Sequence, residues 1–170
     1  MIKITTLDNG LRIVTQHMPG LETVSMGIWN FVGGRDELEK INGVAHLLEH
    51  MAFKGTSTKS ALEIAKTIEN VGGDINAYTS KEITAYYVKL IAKDLPLGIN
   101  ILSDILQNST FLEKELNRER GVILQEIGMY LDQPDEMISD YWQEKAYPNQ
   151  PIGRSILGKS EIIKNISREE

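Results

Sequence analysis

Cysteine is missing from the chain, so no disulfide can staple it and no thiolate can bind a metal or attack a substrate. Histidine is nearly as scarce. His17, His46 and His50 are the whole supply, and a metal site has to be assembled from these with Asp and Glu. No apolar run approaches the roughly 20 residues that a membrane-spanning helix requires. A basic surplus is absent too: 18 Lys and Arg stand against 24 Asp and Glu, a formal net charge of -6 spread along the chain. That balance argues against nucleic acid or an anionic membrane as the main partner and tolerates basic ligands. Met1 opens directly into the alternation Ile2, Ile4, a start from which neither a signal peptide nor an Arg-rich transit segment is expected. The expected location is the bacterial cytoplasm, with the mitochondrial matrix as the alternative.

What is present is an ordinary globular composition, 41% hydrophobic and 25% charged over 170 residues, enough for one domain with a real core. Two alternating runs in IKITTLDNGLRIVTQ, joined by Asp8-Asn9-Gly10, predict a hairpin, because Asn-Gly tolerates the positive φ of a tight turn. Residues 24–32 are expected to complete a small antiparallel sheet with it, ended by Gly33-Gly34. Asn42 is the expected N-cap of a helix through HLLEHMAF. Ser60 and Glu63 form a capping-box pattern ahead of a second helix, ALEIAKTIENVGG, stopped at Gly72-Gly73. Strands follow at 75–79 and 84–91, the latter reading TAYYVKLI. Helical periodicity returns at 97–107, after Pro96, and at 112–131; Pro134 interrupts, a further helix covers 135–147, and 148–158 reads as loop. Ser167-Arg168-Glu169-Glu170 has the form of a capping box opening a helix, so 1–170 is expected to be a domain truncated near its C-terminal end. The order of elements predicts an α+β fold, an antiparallel sheet with helices packed mainly on one face.

The segment HLLEH carries the chemistry. On a helix His46 and His50 stand one turn, about 6 Å, apart, with Glu49 on the same side. Zinc held by two neutral imidazoles and one carboxylate keeps a fourth position for water and acidifies it, and a nearby carboxylate must take the proton. Glu49 meets that need. The third ligand is expected in ERGVILQEI, where Glu119 and Glu126, two helical turns apart, share a face. At about 10 Å apart only one of them can bind the ion, and the other can orient a ligand or substrate. Spacing alone leaves open which one binds. Average residue usage puts a chance HxxEH in a chain of this length at about one per cent. His17 follows a strand, has no partner in spacing, and reads as an ordinary residue.

HLLEH matches the inverzincin motif HxxEH. The chain resembles the pitrilysin-type zinc peptidases, nearest the mitochondrial processing peptidases and their bacterial homologues, through LDNGLRIV, WNFVGGRDE, GVAHLLEHMAFKGT, GGDINAYTSKE and RERGVILQEI. The resemblance implies one zinc ion on His46, His50 and Glu126, because the family's third ligand is a Glu about 76 residues beyond the second His. Glu119 matches a glutamate behind the zinc that supports activity without ligating it. Asn76-Ala77-Tyr78-Thr79 resembles the edge strand to which an extended peptide substrate adds by main-chain hydrogen bonds. Phe53 matches a residue lining the pocket just after the scissile bond. Glu136 and Asp140 resemble the acidic pair that receives an arginine two residues before the cut. The family also has a second homologous domain or subunit that closes a chamber and supplies an Arg and a Tyr to the substrate; no counterpart is expected in residues 1–170, the N-terminal zinc-peptidase domain.

The expected function is therefore zinc-dependent hydrolysis of extended, basic, presequence-like peptides. Two other readings use the same residues: a structural or interaction subunit, as relatives in respiratory complexes are, and a metal-binding fragment with weak turnover or none. Such subunits generally have a broken HxxEH or lack the downstream glutamate. His46, Glu49, His50 and Glu126 all stand here, which favours the enzyme for the full-length protein.

Overall fold

The computed structural model describes residues 1–170. In chain order the elements are β1 (Ile2–Thr6), β2 (Arg12–Gln16), β3 (Thr23–Asn30), α1 (Val44–Ala52), α2 (Ala61–Glu69), β4 (Asp74–Thr79), β5 (Thr84–Ile91), α3 (Leu95–Gln107), α4 (Glu113–Leu131), α5 (Pro134–Ala146) and α6 (Ser160–Ile163). β1 and β2 form the expected hairpin, from Ile2 opposite Gln16 to Thr6 opposite Arg12, with Gly10 of its turn at φ 86°. Every residue of both strands is exposed.

The strand expected to join that hairpin goes elsewhere. β3 pairs with β5, and the sheet order is β3-β5-β4, antiparallel throughout. Burial explains the choice. β3 matches β5 over its whole length, Thr23 opposite Ile91 through Asn30 opposite Thr84, and β5 buries Tyr86, Val88 and Leu90 on one face, whereas the hairpin offers only short exposed strands. Against that face α2 packs Ile64 and Ile68 and α3 packs Ile101, Leu102 and Ile105. The opposite face leaves Trp29 and Tyr78, both registered to Ala85, in solvent. The architecture is the α+β arrangement expected, with helices on one face of the main sheet. No helix is long and apolar enough to cross a membrane.

A second core joins α1 to α4. Leu47 and Met51 pack with Leu116, Ile123 and Ile127, and Ile163 and Ile166 close the cluster from the chain's end. On α1 these apolar residues each follow a histidine by one position, and on α4 they flank Glu119 and Glu126, so matching the apolar stripes sets the polar stripes face to face.

α1 begins differently from expectation. Gly43, at φ 98°, is the capping residue, and Asn42 supplies no side-chain cap. Buried Glu37 replaces it, accepting from Gly43 N at 2.8 Å, Ala45 N at 2.7 Å and Asn42 Nδ2 at 2.8 Å. A carboxylate at this end also suits the helix dipole. Asn42 donates onward to Ser155 O at 3.1 Å, tying the distal loop to the helix entry. A Cβ on Gly43 would lie 2.7 Å from Ile163 Cδ1 and 2.8 Å from Leu157 O, so glycine is needed there for space as well as conformation.

The remaining departures are local. α2 carries the expected Ser60–Glu63 capping box. α3 starts at Leu95 with Pro96 inside its first turn, and α5 starts on Pro134 itself; proline's missing N–H has no partner to lose in a first turn. α6 was not expected, being four residues long and too short to register as periodicity. Residues 167–170 form a turn in which Ser167 N donates to Glu170 Oε2 at 3.1 Å.

Ile123 is wholly buried at the α1–α4 contact. Ile123→Ala is expected to cost about 2–5 kcal/mol and Ile123→Val about 1 kcal/mol, read as shifts in the urea midpoint. Equal midpoints for Ile123→Ala and wild type would show that this contact does not hold the helices together.

Candidate metal centre

α1 turns His46, Glu49 and His50 toward α4. His46 Nε2 lies 3.8 Å from Glu126 Oε1, and His50 Nε2 lies 3.8 Å from Glu126 Oε2. One ligand atom from each of the three residues falls within a 4.8 Å set. Donors around a tetrahedral zinc stand about 3.3 Å apart at bond lengths of about 2.0–2.1 Å, so the imidazole-to-carboxylate gaps are wider than a closed site by about half an ångström. Two imidazoles and a carboxylate, with no thiolate, fit zinc chemistry.

The electrostatics of the pair favour metal over protons. His46 is buried, and that burial, reinforced by neighbouring His50, brings its pKa from the ordinary 6.5 down to about 4. At neutral pH its ring therefore keeps a free lone pair. His50 Nδ1 stands 3.2 Å from Glu119 Oε2, and a proton held there leaves Nε2 free on the side of Glu126. Glu119 is itself 2% exposed, and its other oxygen lies 2.9 Å from Lys54 Nζ. The buried carboxylate thus has a cation on one side and an imidazole on the other. Glu126, by contrast, is half-exposed.

Glu49 sits beside this set with a carboxyl held above its usual range. Burial is the main cause; a hydrogen bond from Thr79 and the nearby His50 oppose it, and the Glu126 charge adds to it. Thr79 Oγ1 donates to Glu49 Oε2 at 2.5 Å. Tyr86, buried under the same region, is pushed up to about 12 by burial first and by the Glu49 charge second.

A cleft of about 460 Å³ opens from His46 and Glu126 toward Tyr130, Glu136 and Asp140. Glu136 and Asp140 are thus brought into one cavity with the histidine and the glutamate. Asp140 is not free of counter-charge, because Lys81 Nζ lies 3.6 Å from its Oδ1. Tyr130 is pushed up to about 12 by burial and then by the Asp140 and Glu136 carboxylates. β4 is an edge strand, paired only with β5; along it Ala77 is half-buried while Asn76 and Tyr78 are exposed. Phe53, the residue capping the C-terminus of α1, packs on the main core with its ring 6.1 Å from that of Tyr86 and is not among the cleft-lining residues. His17 is exposed and lies outside the metal-compatible group.

Lys54, Tyr86 and Tyr130, together with the role of Thr79 against Glu49, were missed from the sequence. Lys54 had a readable signal, following His50 by four positions. Tyr130 had the same signal, four positions after Glu126 on α4, whereas Tyr86 and Thr79 reach the site from other elements and carry no local spacing.

Fold and donor set together are those of an α+β domain with a group of side chains able to hold a metal ion between two helices. The chain belongs to the insulinase family, peptidase family M16, whose sequence model matches residues 12–160. It is 49% identical over 168 residues to the mitochondrial-processing peptidase subunit beta of Rattus norvegicus, covering 99% of this chain and 34% of the relative. It is 45% identical over 163 residues to the uncharacterized zinc protease YmxG of Bacillus subtilis, covering 96% of this chain and 40% of the relative. A protease from Helicobacter pylori superposes with a TM-score of 0.93 at 28% identity, over 99% of this chain and 41% of that one. An M16 inactive domain from Pseudomonas fluorescens reaches 0.91 at 16% identity, which speaks for the fold alone. The chain thus spans well under half the length of these relatives.

In the metal-free protein His46 protonates near 4 when folded and near 6.5 when unfolded. Between those values the unfolded state binds more protons, so stability is complete above 6.5 and falls as the pH drops toward 4. The loss attributable to His46 is about 3 kcal/mol. Urea unfolding of EDTA-treated protein across that window should show it, and His46→Gln should flatten the dependence. An unchanged slope in His46→Gln would contradict the assignment.

Proposed function

We propose that the full-length protein is a zinc-dependent endopeptidase that cleaves extended, basic, presequence-like peptides, with His46, His50 and Glu126 as the metal ligands. The observation that carries this is the convergence of those three side chains with Glu49 one residue before the second histidine. Zinc held there would supply Lewis acidity toward the scissile carbonyl and lower the pKa of water. Glu49 takes a proton from the attacking water and passes it to the departing amine. Its raised pKa suits both halves of that task. Glu119 orients His50 through Nδ1, with Lys54 Nζ 2.9 Å from its other oxygen.

The free edge of β4 would receive the peptide by main-chain hydrogen bonds, with Asn76, Ala77 and Tyr78 setting its register. Phe53 would border the position after the cut. Glu136 and Asp140 would receive a basic side chain, and with Lys81 beside Asp140 the cluster suits a single guanidinium. Residues 1–170 are read as the N-terminal domain, and a second homologous domain or subunit as what closes over the peptide. The bacterial cytoplasm is the proposed compartment and the mitochondrial matrix the alternative, since the relatives include both kinds. A catalytically weak fragment or an interaction subunit remains the competing reading, because the M16 fold also occurs as an inactive domain.

Glu49→Gln is expected to keep stoichiometric zinc by metal analysis and to lose about 10²–10⁴-fold in turnover of an arginine-bearing peptide. His46→Ala and Glu126→Gln are expected to lose the metal. Normal cleavage by Glu49→Gln would sink the mechanism. Glu119→Gln should weaken zinc binding about 10–100-fold in a chelator competition while leaving the three ligands in place; wild-type affinity there would remove Glu119 from the site.

A further inference from the structure

β4 alternates strictly: Ile75, Ala77 and Thr79 are half-buried, and Asp74, Asn76 and Tyr78 are exposed. Thr79 therefore points to the side of the sheet that meets α1, and its hydroxyl donates to Glu49 Oε2 at 2.5 Å. That length is typical of a hydroxyl bound to a charged carboxylate. The donor is also held in place from behind. Thr79 is registered opposite Thr84 on β5, and the turn that follows closes with Ser80 N to Ile83 O at 2.7 Å. Gly34 N and Arg35 N then pin that turn, donating to Ser80 O at 3.1 Å and Lys81 O at 2.8 Å. Gly33 passes so close that a Cβ there would stand 2.4 Å from Ser80 O. The backbone that carries the Thr79 hydroxyl is fixed on two sides.

Thr79 provides the hydrogen bond to the half-buried, flexible Glu49 side chain. We infer that Thr79 is a positioning residue for Glu49: it captures Oε2, leaves Oε1 as the oxygen that meets the proton, and sets the base in a fixed relation to the free edge of β4. The strand that would receive the peptide and the donor that orients the base are then one element. A peptide seated on that edge is in register with Glu49 without further adjustment. This inference rests on the proposed peptidase reading and adds to it a residue that touches neither metal nor scissile bond.

The test uses zinc-loaded full-length protein and an internally quenched peptide carrying one arginine. Thr79→Val keeps the shape and removes the donor. It is expected to lower kcat about 10–100-fold with KM changed by no more than about twofold, the scale of a misplaced reacting group. Zinc content and melting temperature should match wild type, and Thr79→Ser should restore kcat to within about threefold of wild type. In the Glu49→Gln background Thr79→Val should have no further effect, because residues acting as a unit are not additive. Wild-type kcat in Thr79→Val, a loss confined to KM, failure of serine to rescue, or a full additional loss in the Glu49→Gln background would each overturn the positioning role while leaving the peptidase reading intact. A zinc-loaded wild type that cleaves nothing would overturn both.

Discussion

The apposition of α1 and α4 is the constraint on which the rest depends. Leu47 and Met51 meet Leu116, Ile123 and Ile127 in a contact that excludes water, and each buried aliphatic side chain contributes about 1.5–3 kcal/mol. His46, His50 and Glu126 are each offset from this seam by one helical position. The seam therefore settles the distance between His46, His50 and Glu126 before any metal arrives. It also sets the Glu126 charge near Glu49, which is unfavourable. Apolar packing offsets that repulsion and keeps the donors assembled.

Three carboxylates in one neighbourhood acquire three characters from their surroundings. Glu119 is buried and neutralised by Lys54 on one side and His50 on the other. Glu126 is half-exposed and faces two imidazole nitrogens. Glu49 is desolvated, bonded to a hydroxyl, and shifted toward protonation. On the proposed reading, depth and neighbours separate these chemically alike side chains into support, ligand and base.

Local patterns explain what could be read beforehand. The one-turn spacing of His46 and His50, the two-turn spacing of Glu119 and Glu126, the hairpin at Gly10 and the Ser60–Glu63 box are all properties of short windows, and the structure has the corresponding geometry. What could not be read depends on distant partners. β3 chooses β5 over the hairpin because of burial that only the assembled sheet provides. Glu37 displaces Asn42 as the cap of α1 because the segment before the helix folds back over its N-terminus. Thr79 meets Glu49 across thirty positions of sequence. Proline misled in one direction only: Pro96 and Pro134 lie in the first turns of helices that were expected to start after them.

The relatives are more than twice as long as the part of them this chain matches, which leaves room for the second domain or subunit of the proposed reading. The proposed metal centre, in contrast, is drawn wholly from α1 and α4. X-ray absorption at the zinc edge of the zinc-loaded protein tests that claim most directly. The account predicts two imidazole nitrogens at about 2.0–2.1 Å and two light oxygen scatterers at about 2.0–2.2 Å, four-coordinate in all. A single imidazole, or a six-coordinate shell of oxygens, would contradict it.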